Sequence, residues 1–118
     1  MGFWGRISSV FGRRPVPLLH VAGDVGEGPV VILVHGIASS AATFHNVIPQ
    51  LAEHHRCISI DLLGFGESPA PKGATYTIEE HVASIAATIA SFGLRAPFIL
   101  VGHSLGSLLS ARYAAQYP

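Results

Sequence analysis

The chain has 118 residues, with seven Lys+Arg against seven Asp+Glu, a formal net charge of zero and one cysteine. That length holds about one small domain with apolar residues enough for a core, and its sparse, balanced charge points away from nucleic acid and from polyanionic partners. Cys57 alone permits neither an internal disulfide nor a cysteine-based zinc site, and within a strand-like run it reads as a buried, inert thiol.

Residues 1–17 form a leader. Phe3, Trp4, Ile7, Val10 and Phe11 fall on one helical face, with Arg6, Arg13 and Arg14 elsewhere. The apolar stretch is too short for a secretion signal and lacks a small-residue cleavage site. Arg6 stands where a myristoylation signal wants Ser or Thr, and Pro15, Pro17, His20 and Asp24 interrupt the stretch after Arg13-Arg14. The leader is expected to fray or dock on the core, with a weak membrane-surface helix as the other reading. The longest apolar runs cannot span a bilayer, so no stable membrane insertion is expected, and the cytoplasm is the default location.

From Leu18 to Ala22 a short apolar run ends at Gly23-Asp24, and residues 26–29 carry hairpin or loop chemistry. Val30–Val34 is the strongest strand, continuously apolar and mostly β-branched, as in a parallel sheet covered on both faces. A small-residue loop comes next, His35-Gly36-Ile37-Ala38-Ser39-Ser40. Thr43 then caps a helix with Phe44, Val47, Ile48 and Leu51 on one stripe, in which Pro49 predicts a kink or restart. Arg56–Ile60 is a second buried strand, leading into the irregular stretch Asp61 to Gly73. Thr77-Ile78-Glu79-Glu80 reads as a capping box, opening a helix with Ile78, Val82, Ile85, Ile89 and Phe92 inward and closed by Gly93.

The third strand, Phe98 to Val101, runs into Gly102-His103-Ser104-Leu105-Gly106 and then a helix through Gln116. A strand that turns sharply into a helix strains the residue at the bend and pushes the Ser104 hydroxyl clear of both elements. Gly102 and Gly106 stand where a Cβ would collide as strand and helix cross. The helix start adds free N–H groups and a positive dipole end beside that hydroxyl, suited to a developing oxyanion. From Val30 onward strand and helix alternate three times. The expected fold is α/β, a three-layer sandwich around a mostly parallel sheet.

Three features then coincide in order: His35-Gly36 after one buried strand, Asp61-x-x-Gly64-x-Gly66-x-Ser68 after the next, and Gly102-x-Ser104-x-Gly106 after the third. Together they resemble the α/β-hydrolase fold superfamily over about residues 18–118, its N-terminal portion. The resemblance implies an enzyme that cleaves ester and related bonds with a Ser-His-acid triad in the chain order Ser, acid, His. It makes Ser104 the nucleophile and the backbone N–H groups of Ile37 and Leu105 the oxyanion-hole donors. His35, Gly36, Gly102, His103 and Gly106 shape the supporting loops. No metal and no cofactor is implied; the partner is a small ester-like substrate.

The fourteen residues after Ser104 contain no Asp, Glu or His, so the acid and base that the family places later are missing here. The fold is therefore expected to be incomplete, and the chain alone inactive or nearly so, because a serine hydroxyl without a base is a weak nucleophile. His35 is expected to order its loop rather than act as the base, and Asp61 and Glu67 precede the nucleophile. His81 and His54-His55 read as surface or partly buried histidines. Ser68, Ser107 and Ser110 read as capping or helix-surface hydroxyls. A serine-triad acyltransferase, a cofactor-free haloperoxidase and a non-catalytic module of the same fold are the alternative readings. The strand at Phe98–Val101 is expected to expose an unpaired apolar edge, through which copies of the chain self-associate.

Overall fold

The computed structural model describes residues 15–118. Of the leader expected over 1–17, only Pro15, Val16 and Pro17 fall among the described residues; the amphipathic face lies outside them.

Four strands form one sheet: β1 (Val21–Val25), β2 (Val30–Val34), β3 (Arg56–Ile60) and β4 (Ile99–Gly102), in the spatial order β1-β3-β2-β4. β2 runs parallel to both neighbours, with Val31 opposite Cys57 on one side and Ile99 on the other. Its residues Ile32, Leu33 and Val34 are fully buried, as a strand covered on both faces requires. β1 lies antiparallel along β3. Residues 26–29 therefore do not close a hairpin, because both sides of β2 are already taken by β3 and β4. They form a loop instead, in which Gly26 adopts φ +90° and a Cβ would fall 2.1 Å from the His55 carbonyl oxygen. Only glycine fits there.

Side chains alternate between two cores, following the two-residue period of the strands. Ile32, Val34, Ile58 and Ile60 meet Val82, Ile85, Ile89 and Leu109 on one face. Val31, Leu33 and Cys57 meet Phe44 on the other, with Ile48 and Leu51 packed against them. Helices α2 (Ile78–Ser91) and α3 (Leu105–Gln116) thus cover the first face, and the short α1 (Ile48–Leu51) covers the second. Burying Val82, Ile85 and Ile89 contributes about 1.5–3 kcal/mol each, which is what docks α2. The chain leaves β2 over one face to reach β3, then crosses the other face to reach β4 on the far side of β2. Such a reversal opens a crevice at the carboxyl ends of the strands where it occurs, here β2 and β4.

Three local expectations shift. The single helix from Thr43 is two pieces, a 3₁₀ turn over Ala41–Phe44 and then α1. Ser40, not Thr43, caps the first piece, its hydroxyl accepting from the Ala42 N–H at 3.2 Å. Pro49 has no N–H to donate to the carbonyl four residues back, which is why the pattern restarts at Ile48. The capping box is only half formed. Thr77 accepts from the Glu80 N–H at 3.1 Å, but the Glu80 carboxylate accepts from Thr75 and Tyr76 instead of Thr77. Tyr76 at φ +55° turns those two N–H groups toward it. Finally, β4 begins at Ile99, and Phe98 packs beneath it with Tyr113, ring centroids 6.3 Å apart.

β4 is the last strand on its side of the described sheet. Ile99 is 55% exposed and Val101 37%, both on the face where α1 covers Val31 and Leu33. Among the described residues no helix is long and apolar enough to cross a membrane.

Candidate active site

The carboxyl end of β2 delivers His35 and Gly36, both buried. The His35 imidazole is fully enclosed. Its Nε2 accepts from the Leu62 N–H at 2.8 Å, so the ring proton sits on Nδ1, which donates to the Gly36 carbonyl at 2.6 Å. Both nitrogens are thereby committed, and the ring ties the loop after β2 to the loop after β3. It has nothing left to take a proton from a serine.

Asp61, at the carboxyl end of β3, works in parallel. Its carboxylate is 4% exposed and accepts from the Ala41 N–H at 2.8 Å and from the Glu67 N–H at 3.1 Å. A Cβ on Gly66 would fall 2.3 Å from that carboxyl carbon, so the chain must wrap it at glycine. The Ser68 hydroxyl, expected to be an ordinary cap, donates to the Asp61 carbonyl and accepts from the His20 N–H at 2.8 Å. Glu67 is exposed and lies 3.9 Å from His20. Asp61 is thus a loop tie, as its place before Ser104 suggests.

The bend after β4 carries the strain. Ser104 has φ +58° and ψ −122°, a conformation almost reserved for glycine, and its side chain is exposed at the start of α3. The bend is tight because two backbones nearly touch. A Cβ on Gly102 would fall 2.4 Å from the Gly106 carbonyl oxygen, and one on Gly106 would fall 2.1 Å from that of Val34. The His103 N–H still bonds the Val34 carbonyl at 3.0 Å, and Ser107 donates its hydroxyl to the Gly102 carbonyl at 2.8 Å. Ser107 therefore pins the elbow rather than facing solvent idly. The His103 side chain is exposed. Ser110 is buried and its hydroxyl has no partner.

The two loops meet at Gly36 and Ser104. A Cβ on Gly36 would stand 2.8 Å from the Ser104 Cβ and 3.4 Å from its hydroxyl oxygen. Next along the loop, Ile37 is 67% exposed. Leu105 is the first residue of α3, so its N–H is one of those a helix start leaves without an intrahelical acceptor. The crevice thus collects a strained, accessible hydroxyl and the first main-chain N–H of a helix.

Ile37 and Leu105 also line a cavity of about 520 Å³. Phe65, Tyr76 and Ile78 make apolar walls, and Gly64 lets the Tyr76 ring lie close. His81 lines the same cavity and is 4% exposed, deeper than a surface or partly buried histidine. Burial pushes its pKa below the ordinary imidazole value, nearby Glu80 acts the other way, and His35 adds a smaller downward push. Helical spacing gives His81 the inward phase, but nothing local shows that the cavity lies in front of it. On the opposite face, burial raises the pKa of Cys57, which stays an unreactive thiol. Among the described residues no group of three His, Cys, Asp or Glu is placed to hold a metal ion.

Residues 29–118 match the family model described as alpha/beta hydrolase fold. The chain is similar to 2-hydroxy-6-oxo-2,4-heptadienoate hydrolase of Pseudomonas putida strain F1, 38% identical over 98 residues, covering 80% of this chain and 35% of that protein. It is also similar to pimeloyl-(acyl-carrier protein) methyl ester esterase of Aeromonas salmonicida, 34% identical, covering 79% of this chain and 35% of that one. Among solved structures, an epoxide hydrolase from Vigna radiata superposes with a TM-score of 0.75 at 32% identity, over 80% of this chain and 30% of that one. The chain spans about a third of the length of these relatives. The chain thus belongs to the alpha/beta hydrolase fold family.

Proposed function

We propose that the protein carrying this chain is a serine hydrolase that cleaves carboxylic esters or thioesters through an acyl-Ser104 intermediate. The observation that carries the reading is Ser104 itself: a non-glycine residue held at φ +58°, exposed, at the first turn of a helix and against Gly36. Strain of that kind costs about 1–3 kcal/mol and persists where the surroundings enforce it. The Ser104 oxygen attacks the ester carbonyl carbon, its proton passing by way of the base to the leaving alcohol or thiol as the C–O or C–S bond breaks. Water then releases the acid and restores the Ser104 hydroxyl. The N–H groups of Ile37 and Leu105 hold the negative oxygen of the tetrahedral intermediate.

His35 is excluded as the base by its two hydrogen bonds, and among the described residues no other histidine bonds the Ser104 hydroxyl. The 118 residues by themselves are accordingly expected to be inactive or nearly so, with the acid and base supplied from outside them. An esterase among the relatives supports ester chemistry; an epoxide hydrolase among them shows that the same architecture serves another bond. A serine-reactive fluorophosphonate tests the reading. The whole protein should form one adduct, mapped by mass spectrometry to Ser104 and absent from Ser104→Ala. An adduct elsewhere, or none, counts against it.

A further inference from the structure

His81 stands apart from the residues that the proposed chemistry uses. It is only 4% exposed, in a cavity whose other side chains are Ile37, Phe65, Tyr76, Ile78 and Leu105. Its Nδ1 has no hydrogen-bond partner. An unpaired polar group in such a place is destabilising, a cost that an aliphatic side chain at the same position would avoid. The ring lies tilted beside Tyr76, with centroids 6.0 Å apart, and gains nothing polar from it. A half-turn about χ2 exchanges Nδ1 with Cδ2 in the same ring plane, so either edge can present a nitrogen to the cavity. Burial lowers the imidazole pKa and so favours the neutral ring, which offers one N–H donor and one lone pair.

The cavity is lined by Ile37, which follows Gly36 in the chain, and by Leu105, which follows Ser104. An acyl chain entering this cavity meets mostly apolar walls and two side chains with polar atoms, the Tyr76 phenol and the His81 imidazole, of which only His81 is buried. We propose that His81 is a specificity-determining residue that hydrogen-bonds a hydroxyl or oxo oxygen carried on the acyl chain of the substrate, so that the preferred ligands are esters of oxygenated acids rather than of plain alkanoic acids. The choice of an ester rests on the serine-hydrolase reading above; the contact with His81 does not. A site that buries a polar group for one ligand oxygen rejects the analogue lacking it more strongly than an apolar site rejects an added methyl.

The test uses the whole protein with histidine ¹⁵N-labelled and Ser104→Ala to block turnover. The probes are methyl esters of C4 to C6 acids hydroxylated at C3, C4 or C5, each paired with the analogue carrying methyl in place of hydroxyl. At least one hydroxy ester should shift the His81 ring-nitrogen resonances and bind about tenfold tighter than its methyl counterpart. His81→Leu fills the site with an apolar side chain and should abolish the preference; His81→Gln, which keeps a donor and an acceptor, should restore part of it. Equal binding of every pair, no binding of any probe, or a preference that survives His81→Leu overturns the inference. Fluorophosphonate labelling, read separately on the Ser104 protein, distinguishes the two failures. An adduct at Ser104 without the preference removes only the role of His81. The preference without an adduct keeps that role and removes the hydrolase reading.

Discussion

A side-chain carbon on Gly36 would lie 2.8 Å from the Cβ of Ser104, closer than such atoms approach in folded proteins. The two loops can meet only because one of them has no side chain. Gly36→Ala should push the loop off Ser104 by several tenths of an ångström while leaving the buried strands intact. The fluorophosphonate labelling rate of the whole protein should fall by about tenfold, short of the roughly 100-fold that a misplacement of about an ångström produces. The thermal midpoint should move little.

The backbone at Ser104 makes an opposite prediction for stability. With φ at +58° and ψ at −122°, glycine relieves a cost that both serine and alanine bear. Ser104→Gly should raise unfolding free energy by about 1 kcal/mol and abolish labelling, whereas Ser104→Ala should abolish labelling without that gain. Urea unfolding of the three proteins decides it.

Asp61 ties three pieces of backbone, with Ala41 and Glu67 as donors to its carboxylate. Asp61→Ala strands both N–H groups, one of them buried, and should cost about 2 kcal/mol in urea. Labelling at Ser104 should also slow, because Ala41 ends the loop that begins at Gly36.

Arg56 binds the Asp24 carboxylate with two nitrogens, at 2.8 and 2.7 Å, joining β3 to β1. That hydrogen bonding holds the Asp24 pKa below its ordinary value of 3.8, against a smaller upward push from burial. A lowered carboxylate pKa contributes stability above pH 3.8 that is lost as pH falls through the folded-state value. Both side chains are about a third exposed, so the pair contributes under about 1 kcal/mol. The gap in urea midpoint between the natural chain and Asp24→Asn should be present at about pH 7, close below about pH 4 and shrink in about 1 M salt.

At the β4 edge, Ile99 and Val101 present apolar side chains beside backbone that no described strand pairs. Edge strands of this kind recruit other strands, and the 118-residue chain in isolation is expected to self-associate through it. Sedimentation should show concentration-dependent dimers or larger species that Ile99→Lys suppresses. A monomer with a sharp cooperative melt at all concentrations would count against the edge.

Strands at Val30–Val34 and Arg56–Ile60, the helix over Ile78–Ser91 and the bend at Ser104 were written in the sequence, because each depends on neighbours a few residues away: β-branched runs, a helical stripe, a Thr cap, glycines flanking a serine. Tertiary contact settled the rest. β1 bypasses β2 for β3 because β2 had no free side, and the Glu80 carboxylate answers to a turn at Tyr76 rather than to Thr77. The same holds for His81, which reads in the sequence as a surface or partly buried histidine and is 4% exposed in the fold. That it faces a cavity bounded by Ile37 and Leu105, from segments far away in the chain, is a fact no local pattern encodes.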